Sequence, residues 1–147
     1  MGIMKKIILN IINKLAEKYD TCEPCELADY LGVVIIERPL GDKLGAYMYI
    51  KKTKTIFINS SLDEALKRIV LAHELGHAIL HKTQNCYFMK NNTLLLTSKF
   101  EWQANFFAAN LLIPDSLLNN YYGYTINEIS TIENIPVELL KLKFDLI

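Results

Sequence analysis

With 147 residues, 51% of them hydrophobic, the chain carries enough apolar material for one domain with a core of its own, and no Gly/Ser- or Pro-rich linker divides it. Lys plus Arg number 16 and Asp plus Glu number 16, so the formal net charge is zero, which excludes a broad electrostatic pull toward nucleic acid or an anionic membrane surface. Three cysteines, an odd number, give no disulfide framework and agree with a reducing compartment.

The chain opens on an amphipathic helix. Met4, Ile7, Ile8, Ile11, Ile12 and Leu15 repeat at helical spacing, while Asn10, Asn13 and Lys14 interrupt what Lys5 and Lys6 would otherwise make resemble a signal peptide. Position 6 is Lys6 rather than the Ser or Thr of a myristoylation signal, and no stretch approaches the roughly 20 apolar residues of a membrane span. A cytoplasmic location is expected. Cys22 and Cys25 have C-x-x-C spacing, but no second Cys pair or flanking His completes a zinc site, so the pair is read as the cap of a short helix over 24–30. Leu31-Gly32 ends that helix, and the β-branched run Val33-Val34-Ile35-Ile36 predicts a strand. Residues 46–50 and 55–58 flank the polar segment 51–54 and predict a hairpin with an exposed turn. Ser61 with Glu64 three residues on forms a capping box, predicting a helix over 62–81 with the sheet directly before it.

That helix holds all three histidines of the chain, in the run His73-Glu74-Leu75-Gly76-His77-Ala78-Ile79-Leu80-His81, whose first five residues spell the zinc-hydrolase pattern H-E-x-x-H. Residues four apart on a helix are offset by about 40° and about 6 Å, so His73 and His77 can both aim an imidazole at one ion. Glu74 lies about 100° from His73 and can reach the ion's water without being a ligand. The residues around the motif, Val70, Leu71, Ala72, Ala78 and Ile79, are uncharged, as expected of a helix buried behind an active site. Gly76 costs about 1 kcal/mol relative to Ala within a helix, which implies that another backbone or the substrate passes close to it.

Two histidines and a water leave a catalytic zinc one protein ligand short. His81 lies one turn further on, drifting to the edge of the coordinating face, and Cys86 and Asp115 sit in segments without positioning logic. Glu101 is the better candidate, because it opens a second predicted helix over 100–113, stopped by Pro114. Glu101, Ala104, Ala108 and Leu111 share a stripe of small residues suited to packing on another helix, where a buried carboxylate needs a partner. Asn105, one turn after Glu101, is placed to hydrogen-bond a ligand imidazole and fix its tautomer. His81 is read as a support to a ligand or as a helix-end residue. The donor that stabilises the oxyanion is left among Tyr47, Tyr49, Tyr87 and His81, with core or sheet packing the prevailing role of each tyrosine. Residues 46–50, including Tyr47, Met48 and Tyr49, are expected to form an exposed sheet edge that holds an extended substrate by strand addition.

After Pro114, two helical segments over 125–133 and 137–144 flank Asn134-Ile135-Pro136 and imitate a helix-turn-helix. The second is mostly Leu and Phe, with Lys141 and Lys143 as its cations, so it is expected to pack on the core or dock the substrate rather than lie in a DNA groove.

Taken together, the order helix, short helix, strands, motif helix; the extended motif with Leu80-His81; Glu101-Trp102-Gln103-Ala104-Asn105 leading into Phe107-Ala108-Ala109; and Leu111-Leu112-Ile113-Pro114 resemble the ImmA/IrrE-type metallopeptidases of bacteria, phages and integrative elements. The resemblance covers nearly the whole chain. It implies an α+β, gluzincin-like fold in one metallopeptidase domain over 1–147: N-terminal helices and a short, mostly antiparallel sheet over 1–61, two active-site helices over 62–114 and a helical tail over 115–147. It implies zinc, with manganese or cobalt as substitutes, held by His73, His77 and Glu101, and Glu74 as the catalytic carboxylate. The substrate it implies is a helix-turn-helix repressor of the Xre type, cut to release a phage, mobile element or stress response, with no direct nucleic-acid or membrane partner. The competing expectation is a zinc-containing antirepressor that sequesters the repressor without cutting it. Against it stands Glu74, for which a closed structural site has no use.

Overall fold

The computed structural model describes residues 2–89 and 98–146, with 86–89 described by their backbone alone. Among them the elements run α1 (Gly2–Tyr19), α2 (Pro24–Tyr30), β1 (Val34–Arg38), β2 (Lys43–Ile50), β3 (Thr53–Asn59), α3 (Glu64–Leu80), β4 (Cys86–Met89), α4 (Lys99–Leu112), a 3-10 turn (Leu117–Asn120), α5 (Ile126–Glu133) and α6 (Val137–Phe144). The class is α+β, as expected.

The strands form one sheet in the order β1-β3-β2-β4. β2 pairs antiparallel with both β3 and β4, while β1 runs parallel to β3. The hairpin between β2 and β3 closes tightly, with Ile50 opposite Thr53 and with Lys51 and Lys52 both at positive φ, the twist that a two-residue turn needs.

This order corrects the expected substrate strand. Residues 46–50 lie in a central strand, and β4 occupies the side of β2 expected to be open, with Ala46 opposite Tyr87 and Tyr47 opposite Cys86. Beyond the end of β4, the Asn85 side chain accepts a hydrogen bond from the Tyr49 backbone N–H at 3.0 Å, so an incoming peptide finds that group already engaged. The sheet also does not wholly precede the motif helix, since β4 follows it.

α3 starts at Glu64 with Asp63, not Ser61, as its cap: the Asp63 side chain accepts from Leu66 N at 2.8 Å. Ser61 is engaged elsewhere. Its N–H and hydroxyl both bond the Oδ1 of buried Asn59, at 3.0 and 2.8 Å, while the Asn59 amide donates to the carbonyls of Gly41 and Lys43.

α3 packs on β2 and β3 with one face, on α4 with another and on α2 near its start, and every residue from Ile69 to Ala78 is buried. A helix enclosed in this way has no solvent face, which explains its lack of amphipathic patterning past Arg68. α1 and α6 cover α4 from outside. α6 buries Leu139, Leu140 and Leu142, so its apolar face is spent on the core, in line with the packing role expected of it. No described helix is long and apolar enough to cross a membrane.

Candidate metal centre

His73 and His77 project from successive turns of α3 toward Glu101 in the first turn of α4. Their ligand-type atoms all lie within 4.8 Å of one another. His73 Nε2 is 3.1 Å from Glu101 Oε2, and His77 Nε2 is 3.0 Å from Glu101 Oε1. Both imidazoles are 1% exposed and the Glu101 side chain 28%, so the cluster is walled by protein on the histidine side and open on the carboxylate side. Ser98 caps α4, its hydroxyl accepting from Glu101 N at 3.1 Å, which fixes the turn that carries the carboxylate.

The spacing between α3 and α4 follows from Gly76. A Cβ there would stand 3.2 Å from both the Cα and the carbonyl O of Ala104, so the α4 backbone passes directly over the glycine, as its place in the helix implied. A second contact of this kind was not foreseen. A Cβ on Gly45 of β2 would stand 2.7 Å from Val70 Cγ1, 2.8 Å from Phe57 O and 3.6 Å from Glu74 Cγ, so the sheet presses on α3 beside Glu74.

Protons decide what the cluster can hold. Asn105 Oδ1 lies 2.7 Å from His73 Nδ1, the contact expected of it. An amide oxygen only accepts, so the His73 proton sits on Nδ1 and its Nε2 carries a lone pair toward Glu101. His77 Nδ1 is 2.9 Å from His81 Nδ1, and His81 Nε2 is 2.6 Å from Gln103 Oε1. The same rule places a proton on His81 Nε2 and another on His77 Nδ1, leaving a lone pair on His77 Nε2. Although His77 Nε2 approaches Glu101 closely, it makes no hydrogen bond of proper geometry. Two imidazole lone pairs and a carboxylate converging at this range repel one another unless a cation sits among them. The donor set of two imidazole nitrogens and a carboxylate fits a divalent metal ion.

The ionisation of the neighbours agrees. Burial, the largest influence, pushes the His77 imidazole below its ordinary 6.5 against the pull of Glu101, which keeps it neutral and able to ligate. Burial works to raise the Glu101 carboxyl, while hydrogens on the facing imidazole nitrogens would hold it far below the usual carboxylate range; with lone pairs on both Nε2 atoms, a cation in the cluster has to supply that pull instead. Glu74 is fully buried, and neither carboxylate oxygen has a hydrogen-bond partner. Burial first, and the charge of Glu101 second, raise it well above its ordinary 4.5.

The remaining candidates fall elsewhere. Tyr47 is fully buried and its hydroxyl donates to Lys82 O at 2.5 Å, tying β2 to the end of α3, so the phenol is committed to packing rather than to an oxyanion. Met48 sits opposite Thr55 in the central ladder, and Tyr49 lies with its ring under the Lys82 ammonium at 5.2 Å. Asp115 is exposed and paired with Lys143, away from the cluster. The Cys86 and Tyr87 side chains lie outside the described residues. His81 caps α3 and is buried against the ring of Phe100, which makes it a neighbour of His77 rather than a member of the three-residue cluster. Gln103 was missed, because it lies about 200° round the helix from Glu101, off the stripe that singled out Glu101, Ala104 and Asn105.

Residues 28–141 match the family model of the IrrE N-terminal-like domain, a peptidase family. The chain is 40% identical over 140 residues to "Uncharacterized immunity region protein 2" of Bacillus phage phi105, covering 93% of this chain and 89% of the relative. It is 29% identical over 135 residues to "Metallopeptidase ImmA" of Bacillus subtilis (strain 168), covering 89% of this chain and 80% of the relative. The family match runs from α2 to α6 and so takes in both helices that carry the cluster; this chain belongs to the ImmA/IrrE family of metallopeptidases.

Proposed function

We propose that the protein is a zinc-dependent endopeptidase that cuts a helix-turn-helix repressor of the Xre type and so releases a phage, mobile element or stress response from repression. The observation that carries the chemistry is the convergence of His73 Nε2, His77 Nε2 and the Glu101 carboxylate in a site whose back wall is buried and whose front is open. The family supports a peptidase, and a relative named for a phage immunity region supports a repressor-related substrate. Such a substrate belongs to the cytoplasm.

In this reading His73, His77 and Glu101 hold the ion, with Asn105 and His81 behind the two imidazoles. Bound there, a divalent ion supplies Lewis acidity, activating water and polarising the scissile carbonyl. Glu74 takes the proton from the attacking water and returns it to the departing amine. A carboxyl raised by burial holds a proton well enough to act as acid in the second half, and a cation bound at the cluster would favour the carboxylate form that Glu74 needs in the first. The sheet edge on the β4 side, rather than β2, is the place for an extended substrate to add as a strand.

The test is to incubate wild type and Glu74→Gln with the helix-turn-helix repressor encoded nearest the gene, and to follow derepression in cells. A single cut made by wild type alone, with derepression lost in Glu74→Gln, supports the proposal. Full derepression by Glu74→Gln would replace it with the non-catalytic antirepressor.

A further inference from the structure

Three histidines follow one another at four-residue intervals, the last just past the end of α3, yet the candidate metal cluster uses two. The third faces the second nitrogen to nitrogen: His77 Nδ1 and His81 Nδ1 are 2.9 Å apart, both rings being buried. Between two such nitrogens there is room for one proton. Which ring owns it decides whether His77 Nε2 carries a lone pair and can ligate, or a hydrogen and cannot.

Nothing within the pair breaks that tie, and Glu101 Oε1, 3.0 Å from His77 Nε2, favours a hydrogen on that nitrogen, against ligation. The tie is broken beyond it, at Gln103, whose side chain is buried and whose Oε1 lies 2.6 Å from His81 Nε2. With the carbonyl facing His81, the proton on Nε2 is fixed, His81 Nδ1 becomes an acceptor, and His77 must donate from Nδ1. With the amide turned over, its NH₂ would donate to His81 Nε2, both shared protons would move, and His77 Nε2 would carry a hydrogen toward Glu101. One amide orientation therefore sets the state of two rings. α4 supplies a carbonyl to each ligand imidazole by a different route, Asn105 directly to His73 and Gln103 through His81 to His77, while Glu101 of the same helix completes the cluster.

We propose that Gln103 is a positioning residue for metal binding, holding His77 in its ligating tautomer by way of His81. The inference rests on the metalloprotease reading for its purpose, though not for its measurement.

The direct probe is long-range ¹H–¹⁵N correlation of the histidine rings in the full-length, metal-free protein. The wild type should show His77 protonated on Nδ1 and His81 on Nε2; the reverse pattern overturns the proposal with no variant needed. Gln103→Met, unbranched and similar in length but without the amide, should leave His77 and His81 in mixed tautomers and weaken zinc binding about ten- to hundredfold in competition with a chelating dye. A merely structural Gln103 would lower the melting temperature of that variant while its ring pattern and zinc affinity stayed at wild-type values, and that result also overturns the proposal. His81→Asn, which keeps an acceptor near the position of Nδ1, should retain most of the affinity, and adding Gln103→Met to it should cost nothing further, because the two act in series. Wild type that takes up no zinc would count against the metalloprotease reading, while the ring pattern would still decide the relay.

Discussion

Gly76 and Ala104 meet backbone to backbone, with 3.2 Å between the place of a Cβ on the glycine and both the Cα and the carbonyl O of Ala104. Neither backbone atom can move without moving α4, and α4 carries Glu101. Gly76→Ala should therefore cost up to about 3 kcal/mol of overpacking, against the roughly 1 kcal/mol that Ala contributes inside a helix. Thermal melts should show a fall of several degrees. Zinc affinity, measured at a temperature where the variant is folded, should fall as well, because the carboxylate is displaced from the two imidazoles.

Glu74 predicts a pH dependence of opposite sign to that of most carboxylates. Its pKa is raised on folding, so its stabilising contribution is complete below its ordinary 4.5 and is lost as pH rises through the raised value. Metal-free wild type should accordingly lose stability toward neutral pH relative to Glu74→Gln, whose side chain has no charge to bury. Melts of the two proteins in chelator from pH 5 to 8 check this. Curves that stay parallel would mean that Glu74 is solvated in solution.

Met48 lies in a strand flanked on both sides within the sheet, so Met48→Pro tests whether β2 is central rather than an edge. A proline in an interior strand removes a ladder donor and is not accommodated. The variant should be unfolded or aggregated on purification, as read by circular dichroism; a folded variant with wild-type metal content and lost cleavage would restore the edge-strand idea.

Much of this was legible in the sequence where a single local signal was decisive. Leu31-Gly32 marked the end of α2 and its span Pro24–Tyr30 is as read, though Glu23, and not the Cys22/Cys25 pair, stands at its N-cap. The H-E-x-x-H spacing and the acidic start of the Pro114-terminated helix brought together His73, His77 and Glu101, which share one site. What stayed hidden depends on competition between distant groups. Ser61 has the right spacing for a cap, yet Asn59 claims both of its donors and Asp63 takes the helix. β4 is four residues long, too short for a periodic signal, and its pairing with β2 decides which strand is central. Gln103 has no signature of its own and matters only because His81 bends past the end of α3 to meet it.

The most direct measurement is the metal content of three purified proteins after zinc loading and desalting: wild type, Glu74→Gln and Glu101→Gln. The account predicts one zinc per chain in wild type and in Glu74→Gln, because it proposes Glu74 as the base and Glu74 is not among the three clustered donors. Glu101→Gln should bind more than about a hundredfold more weakly, beyond what the loss of a supporting residue costs. Zinc held equally by Glu101→Gln, or lost from Glu74→Gln while that variant stays folded, would contradict it.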